Sequence, residues 1–371
     1  MHLWLGLLSG IVVFVVCITG CLYVFKDEIQ SIGRPWETVK AQNRPFIQPS
    51  QALAIANKAA ADSVPDEIAY GEATDALRVD YFNRELRMRS SVYLNPYTGQ
   101  VLKIEKRSRG GFNFFHFLMQ GHRSLWLPYP IGHYLVAYGV LVFFIVLVTG
   151  LVIWLPKRWN KKVLKQLLTF RRPLKFDRFN RDLHVVLGFY MLLPLIVLCF
   201  TGLMMALEWF SQGAYAIVSG GGTVQDYTIP ASDTLGVRQQ KTFNLDKLYR
   251  KVTASAPTAV QYSYSLPTEK DDVYSVTIAY QRNAHYRVDN LFFDQYTLKP
   301  LSGTGPYVGR YKDLSAADAM MRMNFSLHDG SIWGIWGKMI MFLASLTGAS
   351  LPVTGLIIWL RKKRKNKQLA K

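Results

Sequence analysis

The sequence predicts a membrane α-helical fold: four transmembrane helices, arranged as an internal duplication, with two small α+β extramembrane domains. Three observations predict it. Four apolar stretches, near 3–25, 133–155, 185–209 and 336–360, reach the ~20 residues that a hydrocarbon core demands. The first and third share one frame of His, three residues, Gly, twelve residues and Thr-Gly: His2, Gly6, Thr19, Gly20 and His184, Gly188, Thr201, Gly202. The second and fourth end alike, as Thr149-Gly-Leu-Val-Ile-Trp-Leu and Thr354-Gly-Leu-Ile-Ile-Trp-Leu. Self-similarity in this order marks a repeat, and each copy reads as helix, soluble module, helix.

Charge sets the orientation. The chain of 371 residues is 50% hydrophobic and carries a net charge of +19. The excess is concentrated between Lys157 and Arg181 and in the tail from Arg361 to Lys371. Short basic loops stay in the cytoplasm, so both termini are expected there and both long segments outside, in the periplasm of a bacterial inner-membrane protein. A basic tail flush against a helix end is explained by topology, which excludes a nucleic-acid binder and leaves membrane lipid as its surroundings. The expected order is helix one over 1–26, module one over 27–110, an interfacial segment plus helix two over 111–156, and a basic loop over 157–183. Helix three over 184–210, module two over 211–324, an interfacial segment plus helix four over 325–360 and the tail over 361–371 follow. No basic lead precedes His2, so a few residues are expected to be missing before Met1. Cys17, Cys21 and Cys199 all fall in apolar stretches without disulfide or zinc spacing and read as packing residues.

The modules share a plan. In the first, 50–62 reads as an amphipathic helix, and strands are expected near 77–82, 86–94 and 100–105, with a turn from Pro96 to Gly99. In the second, 244–252 reads as a helix, and strands are expected near 259–266, 272–280 and 286–294. Tyr296-Thr297 then echoes Tyr97-Thr98. Each module is therefore expected to be one helix on an antiparallel sheet.

The histidines carry the chemistry. Helices one and three run outward, so His2 and His184 lie at the inner edge; helices two and four run inward, so His122 and His328 before them lie at the outer edge. Two apolar helices with a His at the same depth place two imidazoles across one flat ligand. A lone His at a helix mouth is more often a headgroup anchor, but four in duplicated register point to ligands. His116 and His133 lie near the outer site as alternatives to His122. Arg123 and Arg181 lie beside the candidate ligands and suit carboxylates; for Arg181 the positive-inside rule is an equal explanation. Gly6 and Gly188, one turn beyond their histidines, either admit a macrocycle or let helices pack closely.

These frames, together with His122-Arg-Ser-Leu before helix two, Arg181-Asp-Leu-His before helix three and the turn Leu94-Asn-Pro-Tyr-Thr-Gly-Gln-Val-Leu, resemble the PepSY-associated transmembrane proteins of bacterial inner membranes. The resemblance covers essentially the whole chain. Within that family the ferrioxamine-reductase type is the nearest functional analogue, and it implies a four-helix oxidoreductase with two haem b groups that reduces a ferric siderophore in the periplasm for iron uptake. The iron ligands would be His2 and His184 at the inner haem and His122 and His328 at the outer one, with electrons relayed outward. Arg123 and Arg181 would face the propionates. No flavin or nicotinamide motif is present, so the resemblance implies an external electron donor, a quinol or a cytosolic reductase. The absent basic lead and the extra histidines His116 and His133 depart from the pattern. A second expectation is a non-enzymatic scaffold or regulator that binds peptide or protein through its PepSY-like domains; a haem absorption band separates the two. A transporter is weaker, since the apolar stretches carry no carboxylate in their interiors, Glu208 standing at the end of the third.

Overall fold

Residues 2–23 and 129–154 contain no Asp, Glu, Lys or Arg. In the computed structural model they form uninterrupted helices, His2–Tyr23 and Tyr129–Trp154. The structure describes all residues except 61–63, 84–87, 107–111, 171–174, 235–240, 283 and 370–371. The chain divides into two units, one of residues 1–27, 112–214 and 324–371, the other of residues 28–111 and 215–323.

The first unit is the membrane unit. Three of its helices are long and apolar enough to cross a membrane, and a bent pair supplies a fourth crossing if it is counted as one span. The last span lies in the helix Gly334–Leu369, which continues into the basic tail. Leu8 and Ile11 are exposed, as side chains facing lipid should be. Val13, Phe143, Leu147, Leu195 and Ala344 are buried between the helices. Glycines let the helices approach closely: a Cβ on Gly139 would lie 2.7 Å from Val12, and one on Gly348 would lie 2.9 Å from the Cys17 sulfur. Cys17, Cys21 and Cys199 are all free thiols.

Helix three departs from the single helix expected over 184–210. It begins at Phe176 within the expected loop and bends by 65° between Tyr190 and Leu192. It resumes as Leu192–Ala206. Pro194 has no N–H to return to the Tyr190 carbonyl, and this releases the backbone at the bend. Just before it, Leu183–Leu187 is wound as a π-helix carrying His184, a geometry that recurs at functional sites. The basic loop is also partly helical, over Lys161–Leu168, where Asn160 caps the start by accepting from the Val163 N–H. The first interfacial segment contains a separate helix, Phe114–Ser124, capped by Asn113 and ended by Leu125 in the left-handed region at φ 52°. Its later counterpart is Ala316–His328, followed by Gly330 at φ 80°.

The second unit is an antiparallel sheet with helices on one face. Its strands are β1 Val64–Tyr70, β2 Leu77–Asn83, β3 Met88–Leu94, β4 Val101–Lys106, β5 Gln261–Ser265, β6 Val273–Ala279, β7 Val288–Asp294 and β8 Pro300–Leu301. They run in the order β4-β3-β2-β1-β5-β6-β7-β8. The two expected modules are thus halves of one eight-stranded sheet, joined where β1 pairs with β5 from Glu67 opposite Ser265 to Tyr70 opposite Tyr262. Joining removes two free edges at once. Alternate residues of the strands, among them Ile68, Tyr70, Val79, Tyr264, Val276 and Ile278, form a single core with Ala52 and Ala56 of the helix Pro49–Ala59 and Leu245, Leu248 and Val252 of the helix Lys241–Ser255. The two helices are tied by Asp246, whose carboxylate accepts from the Ser50 N–H at 2.8 Å and the Ser50 hydroxyl at 2.6 Å.

Each half carries the expected tyrosine-threonine turn. The Asn95 side-chain oxygen accepts from the N–H groups of Tyr97 and Thr98 at 2.9 and 3.2 Å. Asp294 does the same for Tyr296 and Thr297 at 3.0 and 2.7 Å, and its other oxygen accepts from the Asp233 N–H at 2.8 Å. Burial pushes the Asp294 carboxyl up, but these donors outweigh it and hold the group below the usual carboxylate range.

Candidate functional site

The histidines meet the repeated Thr-Gly pairs. His2 Nδ1 lies 3.0 Å from Thr149 Oγ1. His184 Nδ1 lies 2.9 Å from Thr354 Oγ1, and His328 Nδ1 lies 2.9 Å from Thr201 Oγ1. His122 Nδ1 sits 2.9 Å from the Val16 carbonyl and 3.5 Å from Thr19 Oγ1. In every case the glycine after the threonine lies beside the imidazole. A Cβ on Gly150, Gly355, Gly202 or Gly20 would stand 3.2, 3.3, 3.4 or 3.0 Å from the Cε1 of His2, His184, His328 or His122, respectively. The threonine holds the ring and the glycine makes room for it.

The hydrogen-bond inventory fixes the tautomer. A hydroxyl has one proton and two lone pairs. Each threonine already donates that proton along its own helix: Thr149 to the Val146 carbonyl at 3.0 Å, Thr354 to Ser350 at 2.9 Å, Thr201 to Val197 at 2.6 Å and Thr19 to Val15 at 2.7 Å. The imidazoles also meet backbone carbonyls of the same turns, Val146 for His2, Leu351 for His184, Leu198 for His328 and Val16 for His122, and a carbonyl can only accept. All four histidines thus carry the proton on Nδ1, leaving the Nε2 lone pair for a ligand.

The four rings form two groups. His122 and His328 face each other with ring centroids 6.1 Å apart and planes at 69°. His2 and His184 line a single cavity of 510 Å³, within the usual range of small-molecule sites. Gly6 and Gly188 line it too. A Cβ on Gly6 would make an ordinary contact with Val146 at 3.9 Å, whereas one on Gly188 would press on Leu351 at 3.3 Å, so the second glycine serves packing. Arg181 and Lys362 contribute cations to the lining, with no Asp or Glu among the lining residues. Trp154, stacked on Phe189 at 3.9 Å, also lines the cavity, and its buried indole N–H has no partner. The groups lie near opposite ends of the first span: His2 opens it and His122 meets Val16 to Gly20, about 25 Å further at 1.5 Å per residue.

The other candidates fall elsewhere. Arg123 is exposed and donates to the Tyr129 hydroxyl at 2.9 Å, with its guanidinium over the Tyr129 ring. His133 is bonded through Nε2 to the Ala206 carbonyl at 2.9 Å and stacks on Tyr129, and His116 is exposed. Of the three histidines weighed for the outer position, His122 is the one that faces His328. The holding threonines, their glycines, Trp154 and Lys362 were not singled out as site residues from the sequence. The signal for the first was present in the four Thr-Gly pairs, each at the depth of a histidine on a neighbouring helix.

A family model described as the PepSY-associated TM region matches residues 1–362. The chain belongs to this family. Comparison with curated proteins gives no match. In this PepSY-associated membrane protein the donor sets are pairs, and among the described residues no three His, Cys, Asp or Glu gather as a metal cluster. Two imidazoles are a sparse set for a bare divalent ion, which takes three or four protein ligands. They are a complete axial set for iron held in a macrocycle.

Proposed function

We propose that this protein is a di-haem b oxidoreductase of the bacterial inner membrane that carries electrons outward and reduces a ferric siderophore at the periplasmic face. The observation that carries this reading is the paired histidines with Nδ1 committed and Nε2 open. The spacing of the outer pair supports it: two metal–nitrogen bonds of about 2 Å and the half-widths of two rings put the centroids roughly 6 Å apart, against 6.1 Å between His122 and His328. At the other end, the cavity volume, the cations of Arg181 and Lys362 in its lining and the unpartnered Trp154 N–H fit a planar ligand with carboxylate arms.

His2 and His184 would hold the inner group and His122 and His328 the outer one. Arg181, Lys362 and the Trp154 N–H would meet the inner carboxylates. Haem supplies one-electron storage between iron(III) and iron(II). The protein's part is to keep each imidazole in its ligating tautomer, surround it with apolar side chains, and set the two sites near opposite membrane faces. If His122 and His328 both hold the outer group, the ferric siderophore would be an outer-sphere acceptor and need not enter the bilayer. Once reduced, its iron is held less firmly by hard oxygen donors and is released. The basic loop and tail support the inward placement of His2 and His184, and the fourfold recurrence of the His-Thr-Gly arrangement supports an internal duplication. The donor is external, a quinol or a cytosolic reductase.

Pyridine haemochrome analysis of the purified protein tests the reading. Two b-type haems per chain are expected. Haem-free protein with no reductase activity after haem supplementation overturns it in favour of a scaffold acting through the sheet unit.

A further inference from the structure

Two asparagines recur four residues before a candidate ligand: Asn180 before His184 and Asn324 before His328. Residues four apart lie on one helix face. Asn180 Nδ2 donates to the main-chain carbonyl of Thr354 at 3.1 Å, and Thr354 is the residue whose hydroxyl accepts from His184. Asn324 Nδ2 donates to the carbonyl of Thr201 at 3.0 Å, and Thr201 is the residue that accepts from His328. A carbonyl only accepts, so each amide must turn its NH2 to the threonine. Both asparagines are about 95% buried, and the Asn324 oxygen has no hydrogen-bond partner. An amide buried at such a cost in lost solvation, at one position relative to two histidines, needs a reason beyond filling space. The first-half counterpart of Asn324 is Leu118, four residues before His122.

We propose that Asn180 and Asn324 are positioning residues, and that they anchor His184 and His328 on their threonines. With the asparagine and the histidine on the same threonine, one helix grips its neighbour at two points a turn apart. This fixes the sliding and rotation that a single bond would leave free. His122, with Leu118 in place of the asparagine, is the donor that yields at the outer pair. The inference rests on the ligand roles proposed above.

Asn180→Leu and Asn324→Leu keep the volume and remove the donor. In haem-loaded protein, Asn180→Leu should change the low-spin ferric EPR signal and midpoint potential of the inner site alone, and weaken haem retention there ~10-fold, the scale of such outer contacts. Asn324→Leu should do the same at the outer site alone. A second arm needs no haem: in protein purified without it, the carbethoxylation rate of His184 should rise several-fold in Asn180→Leu, and that of His328 in Asn324→Leu. Unchanged signals, potentials and modification rates overturn the proposal, as do equal changes at both sites, which mark a general loss of packing. If the wild-type chain binds no haem, the ligand reading fails, and the modification arm still decides whether the clamp exists.

Discussion

The two halves of the chain build with the same parts and fasten them differently. In the later half, His328 is held by a threonine hydroxyl at 2.9 Å and its threonine is gripped again by Asn324. In the earlier half, His122 leans on the Val16 carbonyl, stands 3.5 Å from Thr19, and has Leu118 where the asparagine would be. The sheet shows the same contrast at its turns, with neutral Asn95 in one half and charged Asp294 in the other. A repeated motif therefore does not imply a repeated energetic role. At the histidines the difference lies in how closely the threonine hydroxyl approaches and in whether an asparagine grips that threonine as well.

Ways to break this comparison run from large effects to small. His328→Ala and His122→Ala should each lower haem from two per chain to one and abolish ferric siderophore reduction, while the inner haem keeps its spectrum; loss of both haems in either variant would show that the sites are not separate. Thr201→Val and Thr19→Val should differ, because the hydroxyl stands at 2.9 Å from His328 and at 3.5 Å from His122. The first removes the closer hydroxyl acceptor and leaves the His328 Nδ1–H only the Leu198 carbonyl, and should weaken haem retention up to ~10-fold. The second leaves His122 its bond to the Val16 carbonyl and should shift retention little. Haem titration of the apo-protein reads both, and Thr201→Ser should behave as wild type.

The glycines should reverse that order. A Cβ on Gly20 meets His122 Cε1 at 3.0 Å and Nδ1 at 3.2 Å, whereas one on Gly202 meets the His328 atoms at 3.4 and 3.9 Å. Gly20→Ala should therefore displace its imidazole and disturb the outer EPR signal, while Gly202→Ala stays close to wild type; equal effects would show that His122 has room to shift. The smallest effect belongs to the turns. The Asp294 carboxyl is held below its ordinary value in the folded chain. Its stabilisation is therefore present above the unfolded carboxylate pKa and is lost as pH falls through the depressed value. Thermal unfolding of the full chain should lose part of its acid sensitivity in Asp294→Asn, while Asn95→Ala should lower stability equally at all pH values.

Much of this was legible before any coordinates. The four apolar stretches and four histidines could be read directly, because hydrophobic length and an ionisable group at its end are local signals. The partners of the histidines were not legible as partners. Thr149 and Thr354 stood in the sequence as markers of helix ends, and only helix packing carries them to His2 and His184. Helix three looked continuous because Leu192 to Ala206 is apolar throughout, and a proline near the start of a helical run is compatible with either a bend or a fresh start. The first strand, Val-Pro-Asp-Glu-Ile-Ala-Tyr, escaped detection because Pro65, Asp66 and Glu67 interrupt the alternation that marks a strand. With it went the seam between the modules, since β1 is the strand that meets β5.

That seam has a consequence for how the protein is made. Synthesis proceeds from the N-terminus, so β1 emerges long before its neighbour β5, with two spans and the basic loop still to come. Throughout that interval the first four strands present an open edge from Glu67 to Tyr70, and the face that will meet the Lys241–Ser255 helix is bare. A half-made chain is thus a template for strand addition by any extended segment nearby. Chaperoning of the half-made sheet, or rapid arrival of the second half, is a requirement written into the strand order itself.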